Sequence, residues 1–155
     1  MRYLALLLLL CGAAWSQKYT GPRPPKHDLP YLKHADNLVP TEASEAKEDA
    51  GKKDEITYVI AGAESSAKTP LAAPIFLFVS DKIRPDTLQL FRLESRNGRR
   101  ELSVSQKKPG RPIHMTVTRL TSDGLYRLEV SDSLENGEYS LSPTDSNQVF
   151  CFQVF

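Results

Sequence analysis

The most regular pattern of apolar and polar positions lies in the stretch LENGEYSLSPTDSNQVFCFQVF, residues 134–155. Over residues 149–155 the side chains alternate between two faces, which is the period of two that a β-strand requires. Before this run, Asn136-Gly137 supplies the residues of a tight turn, and residues 138–141 alternate again. The pattern predicts two consecutive strands, the second of them in the core.

Further β-rich runs with Gly, Asn and Pro punctuation precede these two. The run IFLFV is apolar on both faces and predicts a buried central strand, and a phase slip in residues 87–93 predicts a bulge. Eight short strands without helical periodicity favour an antiparallel β-sandwich, with a β-barrel as the alternative. The eight runs are residues 56–61, 75–79, 87–93, 101–105, 113–120, 126–130, 138–141 and 149–155.

Leu134, Gly137 and Tyr139 have the spacing L-x-x-G-x-Y, which resembles the tyrosine corner of immunoglobulin-like β-sandwiches. The resemblance implies an immunoglobulin-like sandwich of about seven or eight strands and a structural role for these three residues. The alternative is that Tyr139 is an ordinary half-buried strand aromatic. Leu141 stands where antibody domains carry a Cys, so no inter-sheet disulfide is expected. The segment GEYSL before an aromatic strand also resembles small exported bacterial proteins.

Residues 1–16, MRYLALLLLLCGAAWS, have the pattern of a secretory signal peptide with cleavage after Ser16. The apolar run is too short to span a bilayer, and a polar stretch follows it. A lipoprotein signal at Cys11 is an alternative, but the large Leu10 before the Cys argues against it, and the small residues before Gln17 argue against an uncleaved anchor. We expect a secreted or periplasmic protein without membrane insertion after cleavage, and the absence of Asn-x-Ser/Thr sequons favours a bacterial source.

Residues 17–55 contain several prolines and few apolar side chains, which predicts a disordered, charged arm. Within the arm, Asp28-Leu-Pro-Tyr-Leu is an apolar knot that could dock on the domain or on a partner, and residues 41–50 could form a transient helix. The predicted organisation is a signal peptide at 1–16, a disordered arm at 17–55 and a β-sandwich domain at 56–155.

The candidates for chemistry are few. Cys151 would be the single cysteine after cleavage, and its Phe neighbours indicate a buried thiol rather than a catalytic one. His114 occupies an outward strand position, and His27 and His34 lack the short spacing of a zinc site. The sequence has no nucleophile elbow, P-loop, dinucleotide fingerprint or CxxC pair. We therefore expect no catalytic residues, metal or cofactor.

The 20 Lys+Arg residues nearly balance the 19 Asp+Glu residues, so any electrostatic function must be local. A cluster of basic residues surrounds the predicted hairpin at residues 92–111. It could bind a polyanion or glycan, or it could protect an edge strand against aggregation. Exposed aromatic residues are not interleaved with it, so nucleic acid is not an expected partner. The candidate binding residues are Arg96, Arg99, Arg100, Lys107, Lys108 and Arg111.

These patterns together predict an exported, non-enzymatic binding or structural accessory module of the bacterial envelope, whose partner is an envelope protein or glycan. The alternative is a polyanion- or carbohydrate-binding module that uses the basic hairpin at residues 92–111. An enzyme is the least favoured class, because none of the catalytic patterns sought is present.

Overall fold

The computed structural model describes residues 18–155, apart from the side chains of Ala50 and Lys52. The predicted signal peptide lies outside the described residues. Across residues 18–155 no helix is long and apolar enough to cross a membrane. All eight runs predicted from the sequence are strands. The elements are β1 (Tyr31–His34), β2 (Asn37–Pro40), β3 (Glu42–Glu45), β4 (Lys47–Lys52), β5 (Glu55–Ala61), β6 (Lys68–Thr69), β7 (Ile75–Val79), a 3-10 turn (Pro85–Thr87), β8 (Leu88–Arg96), β9 (Arg99–Ser105), β10 (Met115–Arg119), β11 (Leu125–Val130), β12 (Gly137–Pro143) and β13 (Gln148–Val154).

The strands form two sheets that pack face to face. The smaller sheet has the order β10-β11-β7-β1-β2, and the larger has the order β3-β13-β12-β8-β9-β5-β4, with β6 beside β13. Except for the short parallel pair of β6 and β13, the pairs are antiparallel. The prediction of an all-β antiparallel sandwich is confirmed. Side chains from both sheets fill the sandwich core, which includes Leu32, Phe76, Phe78, Leu128, Leu90, Tyr139, Leu141, Phe150 and Phe152.

The larger sheet closes on itself. Its two edge strands, β3 and β4, are consecutive in the chain and are separated only by Ala46. The Ala46 N–H donates to the Asn147 carbonyl over 2.8 Å, which continues the pairing of β3 with β13, while β4 pairs with β5. The two edges are therefore joined covalently, and the face turned away from the smaller sheet encloses a space of its own.

A second apolar cluster lies inside this closed sheet. Its buried members come from the β3–β4 junction, β5, β8 and β13, and they are Ala46, Ile60, Leu93, Val149 and Cys151. Tyr58 of β5 and Leu102 of β9 pack against them. The central strands of the larger sheet are consequently buried on both faces. One face contacts the sandwich core and the other contacts the interior.

The prediction of a bulge in residues 87–93 is wrong, and the burial of this strand on both faces explains why. Leu88 and Leu90 belong to the sandwich core, whereas Leu93 belongs to the interior cluster. The pairing of β8 with β12 runs without a shift from Leu88 to Leu93. The change in phase along this strand reflects a second buried face, and the backbone there is regular.

The predicted arm at residues 17–55 needs the largest correction, because β1 to β4 lie within it. The apolar knot docks on the domain: Tyr31 and Leu32 are buried in β1, which pairs with β7. Residues 41–50, the possible helix, instead contribute to β3 and β4, where hydrogen bonds to β13 and β5 outweigh their low strand propensity. The folded domain thus extends well to the N-terminal side of residue 56.

The segment before β1 is also attached to the domain. Tyr19 packs against Leu77, Val79 and Leu125 on the outer face of the smaller sheet. The Asp28 carboxylate accepts hydrogen bonds of 2.9–3.0 Å from the backbone N–H groups of the β7–β8 loop, those of Asp81, Lys82 and Ile83. Burial acts to raise the pKa of Asp28, but these three donors outweigh it and lower the pKa below its ordinary value.

Because the folded-state pKa of Asp28 is lowered, its stabilising contribution should be present above about pH 4 and be lost as the pH falls through the folded-state value. We expect the D28N variant to be less stable than the wild type in urea at pH 7, and the difference to shrink at pH 3. Asn tolerates the positive φ of 55° at this position. A difference that stayed constant from pH 7 to pH 3 would contradict the assignment.

Candidate functional site

The interior of the closed sheet holds a cavity of about 1150 Å³, here called the cup. At its rim β5 and β8 begin, β9 and β12 end, and the adjoining loops provide Asp54, Gly110 and Asp145. The side chain of Ile56, at 41% exposure, shows that the cup opens to solvent at this end.

The wall of the cup is mainly apolar. Ile56, Tyr58, Phe91, Leu102 and Val104 all line it, and the last four are half-buried rather than fully packed. Such partly exposed apolar side chains in a concave site are typical of pockets that bind small molecules. The polar wall groups from β12 and β8 are Ser140, Ser142 and Gln89.

The loop after β9 packs onto this wall. A Cβ atom built on Gly110 would lie only 2.8 Å from the Val104 Cγ1 atom, and 3.6 Å from the Phe91 ring. Only a glycine fits this close approach without movement of the neighbouring side chains. The loop therefore narrows the rim of the cup.

Three charged side chains, here called the plug, close the other end of the sheet. Arg100 is 1% exposed and lies 2.6 Å from Glu42 Oε1, and its Nη1 atom lies 3.8 Å from Glu138 Oε2. Arg100 also donates to the carbonyls of Ala61 and Gly62. Arg100 therefore has protein partners for most of its donors. The plug does not line the cup, whose deep end is formed by Ala46, Ile60, Leu93 and Val149 of the interior cluster.

The pKa values of the two plug carboxylates are shifted in opposite directions. Burial acts to raise the pKa of Glu42, but hydrogen bonds from Arg100 and the Ser66 N–H lower it below the ordinary value. Burial raises the pKa of Glu138 above its ordinary value, and the Ser65 N–H and Arg100 offset only part of this effect. Glu138 also borders a second cavity, of about 540 Å³, on the far side of the plug.

The six predicted polyanion-binding residues do not form one surface. Arg100 is buried in the plug. Arg96 and Arg99 are both paired with Glu101 at 3.7 and 3.3 Å, and Arg96 also contacts Glu94. The strand that carries Arg99 and Arg100 lies between β8 and β5, so the edge-strand interpretation of these cations is corrected as well.

Lys107, Lys108 and Arg111 are exposed, as is the paired Arg96. The first three belong to the loop after β9, and none of the ion pairs found among residues 18–155 involves them. The Lys108 N–H donates to Ser105 Oγ, which forms a tight turn at the end of the strand.

The three residues of the predicted corner come together as the resemblance implies. The Tyr139 hydroxyl donates to the Glu135 carbonyl over 2.7 Å, four residues upstream, and the ring is buried in the sandwich core. Leu134 belongs to the same core, and Gly137 has a φ of 156° at the start of β12. Tyr139 is therefore more than a half-buried strand aromatic.

The remaining candidates for chemistry differ in their burial. Cys151 is fully buried inside the closed sheet, and burial raises its pKa to about 12. His114 and His27 are exposed, and His34 Nε2 lies 2.9 Å from Thr69 Oγ1. In the described part of the chain, no group of three or more His, Cys, Asp or Glu residues could hold a metal ion.

A scan against protein-family models, a search of curated proteins and a search of solved structures found no match to this chain. The fold and the cup are therefore the basis for a functional assignment.

Proposed function

We propose that this chain is an exported, non-enzymatic binding module of the bacterial envelope, and that it binds a small apolar or amphipathic molecule in the cup. The observation that carries the proposal is the cavity of about 1150 Å³, whose wall contains the exposed Ile56 and the half-buried Tyr58, Phe91, Leu102 and Val104. If these side chains only stabilised the fold, we would expect them to be packed at the density of a protein interior, with no cavity beside them.

The construction of the site supports the same proposal. Strand pairing from β13 through β12, β8, β9 and β5 to β4 fixes the wall, and the covalent link between β3 and β4 closes it. A largely preformed pocket loses little conformational entropy when a ligand binds. Export is supported by the sequence pattern of residues 1–16.

Filling the cup tests this function. Gln89 lies in the wall on β8, and a Trp there would occupy space that a ligand needs. We expect the neutral fluorophore N-phenyl-1-naphthylamine to bind the mature protein with increased emission, and the Q89W variant to lose about tenfold or more in affinity. The T116W variant places the same side chain on an exposed position of β10 and should bind like the wild type.

Circular dichroism would establish that both variants keep the strand content of the wild type. Equal affinity of the wild type and the folded Q89W variant, or no emission change with the wild type, would contradict ligand binding in the cup.

The alternative function, polyanion or carbohydrate binding through residues 92–111, rests now on the exposed trio Lys107, Lys108 and Arg111. Three cations on one loop can give weak, salt-sensitive binding to an anionic glycan. We expect a polyanion-binding protein to be retained on heparin. Loss of retention when these three residues are neutralised, but not when Arg96 and Arg99 are neutralised, would favour polyanion binding over binding in the cup.

A further inference from the structure

We infer that the cup selects organic cations, that is, molecules with an apolar body and an ammonium head group. The inference rests on the proposed function, because it names the class of ligand for the same cavity. It is carried by the charges of the rim taken together with the apolar wall.

The charged side chains that line the cup, among those that the structure describes, are all acidic. Glu48, Asp54 and Asp145 are exposed at the rim, and Glu55 is half-buried beside Ile56. Three of them belong to the β4–β5 hairpin and Asp145 belongs to the turn between β12 and β13, so the acidic groups lie on two of the turns around the rim. A ligand whose chain enters the cup would leave its head group among these carboxylates.

No Lys or Arg side chain that the structure describes lines the cup, and Lys53, which is exposed next to Asp54 in the chain, is not part of the wall. Lys107 and Lys108 belong to the rim loop, but the residues of that loop that line the cup are Gln106, Pro109 and Gly110. Arg100 does not line the cup, and it is buried and compensated by Glu42 and Glu138. Among the side chains that the structure describes, an anionic head group would therefore meet carboxylates and no cation in the wall.

The aromatic residues of the wall favour the same class of ligand. Tyr58 and Phe91 both line the cup and are half-buried. Aromatic faces attract alkylammonium groups, and such contacts are stronger where the cation is partly desolvated. The apolar area around them also accommodates an alkyl chain.

The test compares three ligands with the same ten-carbon chain below their micelle-forming concentrations: decyltrimethylammonium, decyl glucoside and decanoate. Each would displace N-phenyl-1-naphthylamine from the mature protein. We expect the cation to bind about tenfold more tightly than decanoate at low salt, with the neutral glucoside between them. The ratio of the affinities for the cation and for decanoate should fall towards one at about 1 M NaCl, where the screening length is about 3 Å.

A rim variant that combines Glu48→Gln, Asp54→Asn and Asp145→Asn should abolish most of this preference. The matched control combines Asp36→Asn, Asp81→Asn and Asp132→Asn, which removes the same number of charges at exposed positions outside the cup. The control should keep the preference of the wild type, because its charges are far from the head group.

The outcomes separate this inference from the proposed function. Similar affinities for the cation and decanoate, or a preference that both triple variants lose equally, would overturn the cation selectivity while the cup remained a binding site. Failure of the glucoside and the fluorophore to bind would overturn the cup itself.

Discussion

The R100M variant is expected to lose about 3–5 kcal/mol of stability at neutral pH, because the change leaves two carboxylates in the plug without their cation. Glu138 is 5% exposed and cannot recover its hydration in the folded state. Because methionine keeps much of the volume of the arginine side chain, the loss of stability would come from the missing charge and not from lost packing. Urea denaturation of the mature protein at pH 7 would measure it.

Two further variants test the cause of that loss. Arg96 has a 64% exposed side chain and pairs with acids on the same hairpin, so R96M should change the stability by less than about 0.5 kcal/mol. Adding Glu138→Gln to R100M should recover part of the loss, since one uncompensated charge disappears. A double variant no more stable than R100M would show that the plug acts through packing.

The F152A variant is expected to lose about 3–5 kcal/mol, because Phe152 is fully buried at the centre of the sandwich core. Its ring centroid lies 5.0 Å from that of Phe76 in the opposite sheet and 5.5 Å from that of Tyr139. The substitution therefore removes contacts between the two sheets as well as apolar burial. Thermal and urea unfolding would both show the loss.

Phe155 gives a matched control three positions further along the chain. Its side chain is 61% exposed, so F155A should stay within about 0.5 kcal/mol of the wild type. Equal losses for the two variants would contradict the central place of Phe152 in the core.

The strand content of the domain could be predicted from the sequence because period-two alternation and turn residues depend on local order along the chain. Residues 42–52 could not, since their sequence EASEAKEDAGK has neither strand-favouring side chains nor an apolar face. Their strand conformation comes from pairing with β13 and β5. Such tertiary interactions cannot be recognised from the sequence of a short segment alone.

The cup was missed for a related reason. The sequence does show apolar residues on both faces of β13, with Val149 and Cys151 opposite Phe150 and Phe152. An open sandwich of two sheets would bury only one of these faces, so the double pattern was a usable signal of a second enclosed space. The burial of Arg100 had no such signal, because its partners Glu42 and Glu138 are distant in sequence.

Closure of the larger sheet also sets the order in which this protein can fold. Residues 42–45 are among the earlier parts of the domain to be synthesised, yet their partners in β13 are residues 148–151. Contacts between such distant segments form slowly, because the entropy of closing a long loop is lost before the contact forms. The cup therefore cannot exist on a nascent chain until the last strand has emerged. A domain that folds only once β13 has been synthesised is suited to crossing a membrane in an extended form, which would fit the export that the pattern of residues 1–16 predicts.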